Sequence, residues 1–407
     1  MRILHTADIH LGQIIYQNYE RRDEHDHYFK QLKKWCLQYQ PDALVVSGDL
    51  FDIQQPSAAT KACFNQYFAE IHRSCPSMKI IMTAGNHDSA SRIQADHVIW
   101  DMAQTVLIGT SPAYDAQEGW EQKYIIKLPA GYVVALPYMA GDRQEQWQHL
   151  LHCVETDNIA HLPVVMMAHT AVAGLDLKGH DFEIGTLKTL SIDQLGEGYD
   201  YLALGHIHKP QTIGHQEDAM TEEVTYPAPV VRYSGSALHV SCDESYPHTV
   251  SLVDIDKHGG LVHIKQLRID QLRHFYILPE DQDCYTDAEA AIADIKQWAE
   301  THRSGYIRLK MDYQVALPSN FNQMVYDVID AYHDEIRYNP KLIWIGKPTA
   351  QEGDSNRPKI EIAELQQMKD PMHFIAQTID NYPGLDLEEL REAFEEVKLE
   401  MKRKDEN

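Results

Sequence analysis

A chain of 407 residues is too long for one hydrophobic core of ordinary size, so we expect two or three structural units. Its composition is 43% hydrophobic and 24% charged, and the absence of an apolar run of about 18 residues excludes a membrane-spanning protein. An N-terminus without a secretory signal predicts a cytoplasmic location. The formal net charge of −25 counts mildly against nucleic acid as a partner, because non-specific DNA affinity normally comes from Lys and Arg.

From residue 1 to about 240 the sequence repeats one local plan, a short apolar run followed by turn residues and then by Asp, His or Asn. Runs of this length with β-branched residues predict strands buried on both faces. They are Ile3-Leu4 and residues 43–46, 79–82, 132–136, 164–167 and 201–204. Residues 29–39 and 58–71 carry apolar side chains at helical spacing. Alternation of strand and helix predicts an α/β layered domain with its polar clusters at the C-terminal ends of strands, where such sheets hold ligands.

A second, smaller unit begins near residue 270 in the sequence. Thr286 and Glu289 have the spacing of a capping box and predict the start of a helix. Alternating apolar and polar residues over 307–313 predict a strand with one face in water, and a helix at 321–332 and a strand at 342–345 complete a small α+β module. We therefore predict three parts, residues 1–268, 269–350 and 351–407.

The C-terminal part is predicted to consist of a linker and helices. In its last helix, apolar side chains recur at alternating spacings of three and four, which makes a narrow stripe of coiled-coil type. These residues are Leu387, Leu390, Phe394, Val397 and Met401. Such a stripe is covered either by the rest of the same chain or by helices of another protein, and both alternatives stay open at this point.

The six cysteines lie far apart, and no C-x-x-C pair is present. This spacing argues against a zinc knuckle and against a disulfide framework. We interpret the cysteines as reduced thiols with mainly a packing role.

Five polar clusters follow the predicted strands of the first part. Each is a weak signal alone, and their joint order at successive strand ends gives the signal its strength. They are Asp8-Ile-His10, Gly48-Asp49, Gly85-Asn-His-Asp88, His169 and Gly205-His-Ile-His208. Together they would supply carboxylate, amide and imidazole ligands to a common rim.

A pair of metal ions about 3.5–4 Å apart can generate a nucleophile at neutral pH and neutralise charge during phosphodiester hydrolysis. Asp49 is the candidate bridging ligand, because the Gly48 turn lets a short carboxylate project into the middle of the rim. We expect Asp8, His10 and His208 to complete one metal site. Asn86, His169 and His206 would complete the other, with the imidazoles of His206 and His208 on the same side of an extended backbone.

Oxygen and nitrogen ligands without thiolate suit Mn²⁺, Fe or Zn²⁺ rather than Ca²⁺, and the sequence does not choose among the three. His87, beside Asn86, is the candidate catalytic residue, which would stabilise the transition state or protonate the leaving oxygen. Asp52 and Asp88 are interpreted as groups that fix an imidazole tautomer and the geometry of the loops.

These motifs, in this order, resemble the signature of the calcineurin-like metallophosphoesterase superfamily. Within it the chain is similar to bacterial nuclease subunits that act with an SbcC-type coiled-coil ABC ATPase. The sequence segments that carry this similarity include residues 5–12, 46–52, 84–89, 204–209 and 233–236. The resemblance implies a four-layer αββα sandwich that binds two Mn²⁺, a capping domain over the DNA groove, and C-terminal helices that grip the ATPase. It also implies a homodimer, for which the helical segments 58–72 and 90–104 are candidates, and the alternative is that these amphipathic helices only cover the sheet.

The activity implied by the resemblance is ATP-dependent 3′ to 5′ exonuclease action on duplex ends and endonuclease action on hairpins and single strands, in repair, recombination and replication. Asp52 departs from the archaeal and eukaryotic pattern, where a histidine follows the same Gly-Asp unit, so no catalytic role is carried over to it.

The sequence disfavours two alternatives to a nuclease. A phosphatase or cyclic-nucleotide phosphodiesterase of the same superfamily is disfavoured, because protein phosphatases carry Gly-Asp-x-x-Asp-Arg-Gly and Gly-Asn-His-Glu, and here Gln54 and Asp88 break those patterns. A scaffold that has lost its metals is disfavoured by the retention of all seven candidate ligands.

Overall fold

The computed structural model describes residues 1–346 except 17, 102, 113–118, 140–143, 177–188, 216–220, 241–243, 245 and 334. None of the helices that these residues form combines the length and the apolar character that a membrane span requires. The predicted linker and C-terminal helices, residues 351–407, lie outside the described residues.

The described strands and helices alternate along much of the chain. The strands are β1 (Arg2–Thr6), β2 (Ile14–Ile15), β3 (Tyr19–Glu20), β4 (Ala43–Ser47), β5 (Lys79–Thr83), β6 (Thr105–Ile108), β7 (Ile125–Leu128), β8 (Gly131–Ala135), β9 (Val164–His169), β10 (Tyr201–Gly205), β11 (Gln211–Thr212), β12 (Glu223–Pro227), β13 (Val230–Tyr233), β14 (Thr249–Ile255), β15 (Leu261–Arg268), β16 (Phe275–Leu278), β17 (Gly305–Asp312) and β18 (Ile336–Ile345). The helices are α1 (Arg22–Tyr39), α2 (Ala58–Ser74), α3 (Ala90–Ala95), α4 (His97–Asp101), α5 (Glu121–Tyr124), α6 (Gln144–Asp157), α7 (Ala288–His302) and α8 (Phe321–Ile329).

Two mixed sheets form the centre of the first part. One has seven strands in the order β12-β15-β14-β1-β4-β5-β6, and the other has six in the order β11-β13-β10-β9-β8-β7. Pairing is parallel from β1 through β4 and β5 to β6, and parallel among β8, β9, β10 and β13. Parallel neighbours end at the same edge of their sheet, so the loops that follow these strands are brought together.

The two sheets pack face to face through alternate side chains of their strands. Ile3, Val45 and Ile81 of the first sheet share a core with Val165 and the rest of the inner face of the second. Alternation places the intervening residues of β1, β4 and β5 on the opposite face, where they pack against α1 and α2. Because both faces are covered, the runs are apolar throughout, and this confirms the predicted strands.

Helix α6 covers the outer face of the six-stranded sheet. On α6, Trp147, Leu150, Leu151 and Val154 are buried in the core that also contains β8 and β9. Helix, sheet, sheet and helix therefore follow one another, as expected for the αββα sandwich.

The small module contains the parallel sheet β16-β17-β18, whose strands are connected by α7 and α8. It has its own apolar core, which includes Ile295, Ile307 and Val325. The predicted capping box was wrong by one residue, because the side chain of Asp287 accepts the backbone N–H of Ala290 at 2.8 Å and caps α7 in place of Thr286. The carboxylate at position 287 reaches that N–H directly, and this is a frequent N-cap arrangement.

A buried ionic network joins the module to the sandwich within the compact unit Met1–Gly346. Glu24 on α1 has a side chain only 1% exposed, and it accepts hydrogen bonds from Arg21 Nε at 3.0 Å and Arg337 Nη1 at 2.9 Å. The Tyr306 hydroxyl of β17 donates to the same carboxylate. The predicted boundary at 268/269 falls in the connection between β15 and β16, and it stays a prediction.

Candidate metal centre

The candidate ligands all follow strands β1, β4, β5, β9 and β10, or end them. Four of these residues adopt left-handed backbone conformations, with φ of 50° at Asp8, 47° at His10, 48° at Asp49 and 97° at His206. Such conformations are uncommon for non-glycine residues and are strained, although Asp and His tolerate them better than most. The concentration of strain at one edge of the two sheets is typical of a functional site.

One group of donors comprises Asp8, His10 and His208. One ligand atom from each lies within 4.8 Å of the others, and the imidazole rings of His10 and His208 are 5.3 Å apart in edge-to-face contact. Asp8 is 1% exposed and His10 is 4% exposed, so these polar groups are withdrawn from water. The three residues predicted for one metal are therefore brought together.

The second group lies on the other side of Asp49. His169 Nε2 is 3.3 Å from Asp49 Oδ2 and 3.0 Å from Asn86 Oδ1. His206 Nδ1 is 2.9 Å from the same Asn86 oxygen. Asp49 thus lies between the two groups, since His10 Nε2 is 3.8 Å from Asp49 Oδ2 on the first side. The structure brings together all seven residues predicted as metal ligands.

The backbone of the His206-Ile-His208 segment differs from the expectation. We predicted an extended segment, but β10 ends at Gly205 and His206 has a φ of 97°. The backbone N–H of His206 donates to both oxygens of Asp8, at 3.0 and 3.1 Å, and this contact holds the turn. As a result the two imidazoles reach different groups of donors by a change in chain direction rather than by alternation along a strand.

The protonation of His169 is fixed by its surroundings. Its Nδ1 is 2.8 Å from the Ser47 carbonyl oxygen, which only accepts hydrogen bonds, so Nδ1 carries the proton. When a cation displaces the second proton, the lone pair of Nε2 would point toward Asp49 and Asn86, as a metal ligand requires.

His10 is a buried imidazole without a hydrogen bond of normal length among the described residues. Its Nδ1 is 3.5 Å from Asp52 Oδ1, and its Nε2 is 3.8 Å from Asp49. Buried polar atoms are nearly always satisfied, so two such atoms in one ring call for another partner. A cation between His10 Nε2 and the Asp49 carboxylate would satisfy one of them and leave Nδ1 facing Asp52, and the donor set fits a pair of divalent metal ions.

The close packing of these buried carboxylates and imidazoles shifts their pKa values. Burial would raise the pKa of Asp49, but the neighbouring imidazoles, that of His169 foremost, together outweigh it and hold the pKa well below its usual range. Burial would likewise lower the pKa of His169, but Asp49, Asp8 and the Ser47 carbonyl together outweigh it and raise this pKa to about 9. For Asp8, burial dominates and raises the pKa. Without metal the site therefore holds protons, which bound cations would displace.

His87 lies at the open side of the cluster. It is exposed, its Nδ1 is 2.9 Å from the Asp52 carbonyl oxygen, and its ring is 4.9 Å from that of His10. Because the carbonyl accepts, Nδ1 is the protonated nitrogen, and Nε2 is the atom available to a substrate. Its backbone N–H donates to Asp49 Oδ1 at 2.8 Å.

Asp88 holds the loops rather than facing the cluster. Its carboxylate accepts the backbone N–H groups of Leu50, Phe51 and Gly85 at 2.8–3.0 Å. Burial raises the pKa of Asp88 to about 6. Asp52 is placed next to His10 and His87 through its side chain and its carbonyl group.

Gly85, the first residue of the Gly85-Asn-His-Asp segment, is required because Asp49 approaches its Cα too closely for a side chain. A Cβ atom at Gly85 would lie 2.0 Å from Asp49 Oδ1 and 2.2 Å from the Asp49 backbone nitrogen. Glycine at this position therefore allows the loops after β4 and β5 to pack against each other and positions the Asp49 carboxylate.

Glu244 was missed by sequence reasoning. Its side chain is 1% exposed, with Oε1 3.5 Å from His208 Nδ1 and Oε2 3.2 Å from His248 Nε2. Burial would raise the pKa of Glu244, but hydrogen bonding to the two histidines holds it well below its usual range. Nothing in the polar sequence around position 244 distinguishes this buried carboxylate from solvated ones.

Comparison with known families supports what the geometry indicates. The model of the calcineurin-like phosphoesterase family matches residues 1–210, which is more than half of the chain and includes every candidate ligand. The chain belongs to the calcineurin-like phosphoesterase family. This phosphoesterase is therefore a member of a hydrolase family that uses divalent metal ions, and its αββα arrangement is the family fold.

Several relatives of this phosphoesterase are named as subunits of the nuclease SbcCD. The protein of Escherichia coli K12 is 26% identical over 338 residues, which cover 77% of this chain and 78% of that chain. The protein of Rhodobacter capsulatus is 29% identical over 284 residues, with coverage of 63% and 66%. The protein of Bacillus subtilis is 27% identical over 338 residues, with coverage of 74% and 82%.

Proposed function

We propose that this phosphoesterase is a metal-dependent DNA nuclease, the nuclease subunit of a two-protein complex that processes DNA ends. The observation that carries the proposal is the convergence of seven oxygen and nitrogen donor residues, Asp49 among them, with both buried ring nitrogens of His10 lacking a hydrogen bond of normal length to any described residue. The relatives named as nuclease subunits support a nucleic acid as the substrate, and DNA is our choice.

The ligand roles follow the two groups of donors. Asp8, His10 and His208 would hold one ion, Asn86, His169 and His206 would hold the other, and Asp49 would bridge them. Two bound divalent ions, with Mn²⁺ as our choice, would supply Lewis-acid polarisation of the phosphoryl oxygens and a nucleophile at neutral pH.

His87 would act on the substrate from the open side of the site. With Nδ1 donating to the Asp52 carbonyl, an added proton on Nε2 makes a cation that can contact a phosphate oxygen or protonate the leaving oxygen. The Asp52 carbonyl would thereby orient the ring. Asp88 would hold the loop of Asp49 and the loop of Gly85 together through its hydrogen bonds to both.

The small module is attached to the segment that directly follows His10, and this arrangement supports a polymeric substrate. The Tyr19 hydroxyl of β3 is 3.3 Å from the backbone N–H of Tyr338, and the Tyr16 ring is 5.9 Å from that of Tyr306. We propose that the module caps the DNA-binding side of the site. The net charge of −25 would be offset there by the bound cations and by basic surface of the partner.

The remaining features concern partners. We propose an SbcC-type coiled-coil ABC ATPase that binds residues 351–407, and a homodimer through α2, α3 and α4, where Val98 and Ile99 are 59% and 71% exposed. Exposed aliphatic side chains on adjacent positions favour an interface.

We also propose ATP-dependent 3′ to 5′ exonuclease and hairpin or single-strand endonuclease activities, roles in repair, recombination and replication, and a cytoplasmic location.

The proposal is tested with purified protein, Mn²⁺ and end-labelled duplex, hairpin and single-stranded DNA, with and without the ATPase. The expected result is metal-dependent cleavage of DNA that the matched variant Asp49→Asn lacks while its circular dichroism is unchanged. Hydrolysis of p-nitrophenyl phosphate monoesters without any cleavage of DNA would overturn the nuclease assignment in favour of a phosphatase.

A further inference from the structure

A second cluster of potential metal ligands lies away from the catalytic edge, between helices α5 and α6. It comprises Glu121 at the start of α5 and His149 and Cys153 on α6, and one ligand atom of each lies within 4.8 Å of the others. His149 and Cys153 are four residues apart, so both project from the same face of α6. The neighbouring positions Trp147 and Leu150 are buried against the sheet and fix the rotation of the helix.

We propose that Glu121, His149 and Cys153 bind a zinc ion that ties α5 to α6, distinct from the ions at the catalytic edge. A thiolate, an imidazole and a carboxylate form a donor set of intermediate softness that suits Zn²⁺ and is poorly suited to Mn²⁺. The seven candidate ligands of the catalytic edge include no thiolate, so the two sites would select different metals.

One of two donor distances matches tetrahedral coordination directly, and the other is shorter than such a site needs. At Zn–S of about 2.3 Å and Zn–N of about 2.0–2.1 Å, a tetrahedral ion holds sulfur and nitrogen roughly 3.6 Å apart. His149 Nε2 is 3.7 Å from Cys153 Sγ. The same nitrogen is 2.8 Å from Glu121 Oε1, whereas a tetrahedral site needs about 3.4 Å. A small rotation of the Glu121 side chain, which is 26% exposed, supplies that difference.

The imidazole is oriented before any ion binds. The Trp120 ring stacks on His149 with the centroids 5.5 Å apart and the planes at 24°, so Nε2 points at the other two donors. The His149 side chain is 48% exposed, which gives an ion access and leaves room for water as the fourth ligand. An ordinary surface ion pair of His149 with Glu121 would need neither the stacking nor the thiol.

The decisive measurement is a Co²⁺ titration of the metal-stripped, reduced full-length protein. Cobalt bound to a thiolate gives a near-ultraviolet charge-transfer band, which imidazole and carboxylate ligands at the catalytic edge do not produce. We expect a band with the amplitude of one cobalt–sulfur bond per chain, which Zn²⁺ bleaches and Cys153→Ser abolishes. The matched control Cys63→Ser, a partly buried cysteine on α2, keeps the band.

Two results would overturn the zinc proposal, namely no band in the wild type or a band that persists in Cys153→Ser. A second measurement on the wild type covers the case of a variant that fails to fold. Zn²⁺ is expected to slow alkylation of Cys153 by about tenfold or more, because a bound thiolate is shielded, while alkylation of Cys63 stays unchanged. Equal alkylation of Cys153 with and without Zn²⁺ would contradict the site.

Discussion

Replacement of Glu24 by Ala is predicted to be the most destabilising single change in the contact between sandwich and module. The substitution removes the carboxylate that neutralises Arg21 and Arg337, whose side chains are 1% and 7% exposed. It also removes the acceptor of the Tyr306 hydroxyl. Loss of one partner from a buried ionic network costs about 3–5 kcal/mol, because the remaining charges stay buried with less compensation, here Asp23 at 3.6 Å from Arg337 and neutral acceptors at Arg21.

The assay for Glu24→Ala is urea denaturation followed by tryptophan fluorescence. A loss of this size lowers the midpoint by roughly 1–2 M urea. The matched control is Glu70→Ala, because Glu70 forms an exposed pair with Lys33 at 3.1 Å and its removal costs about 0.5 kcal/mol or less. If both variants shift the midpoint equally, the buried network does not hold the module in place.

Three further predictions concern the metal centre. Gly85→Ala should abolish Mn²⁺ binding in calorimetry, because the new Cβ would lie 2.0 Å from Asp49 Oδ1. The control Gly259→Ala should retain Mn²⁺ binding, because a Cβ at that position would have no heavy atom within 4 Å. His87→Ala should lower turnover of DNA by about 10²–10⁴-fold with metal content unchanged, as acid or charge stabilisation implies, and lost metal would make it a ligand instead. Glu244→Gln should weaken Mn²⁺ affinity by about 10–100-fold, since His208 loses its charged partner, and an unchanged affinity would exclude this positioning role.

The sandwich was predictable from sequence because its physical signals are local. Each central strand is an apolar run buried on both faces, and the ligands occur within a few residues of strand ends, where parallel pairing brings loops together. Helix α2 was visible from its apolar spacing, and Ser57 caps it through a hydrogen bond to the Thr60 N–H at 3.1 Å. The antiparallel strands β14 and β15 were not predicted, since their mixed pattern gives a weaker signal.

What the sequence did not show depends on tertiary contacts. Glu244 becomes distinctive only because the fold buries it beside His208, more than thirty positions earlier in the chain. The turn at His206 arises from its N–H bond to Asp8, a contact across nearly two hundred residues. The cap of α7 required a choice between Thr286 and Asp287, adjacent residues that both occur at N-caps, and backbone geometry decides for Asp287.

Electron paramagnetic resonance of the protein loaded with Mn²⁺ tests the proposed two-metal site most directly, when it is combined with a count of the ions bound per chain. The two-metal account predicts two Mn²⁺ per chain with a spin-coupled signal, because one Asp49 carboxylate would bridge both ions. Asp49→Ala should lose the coupling and at least one of the ions. Binding of a single Mn²⁺ by the wild type, or a coupled pair that survives in Asp49→Ala, would contradict the account.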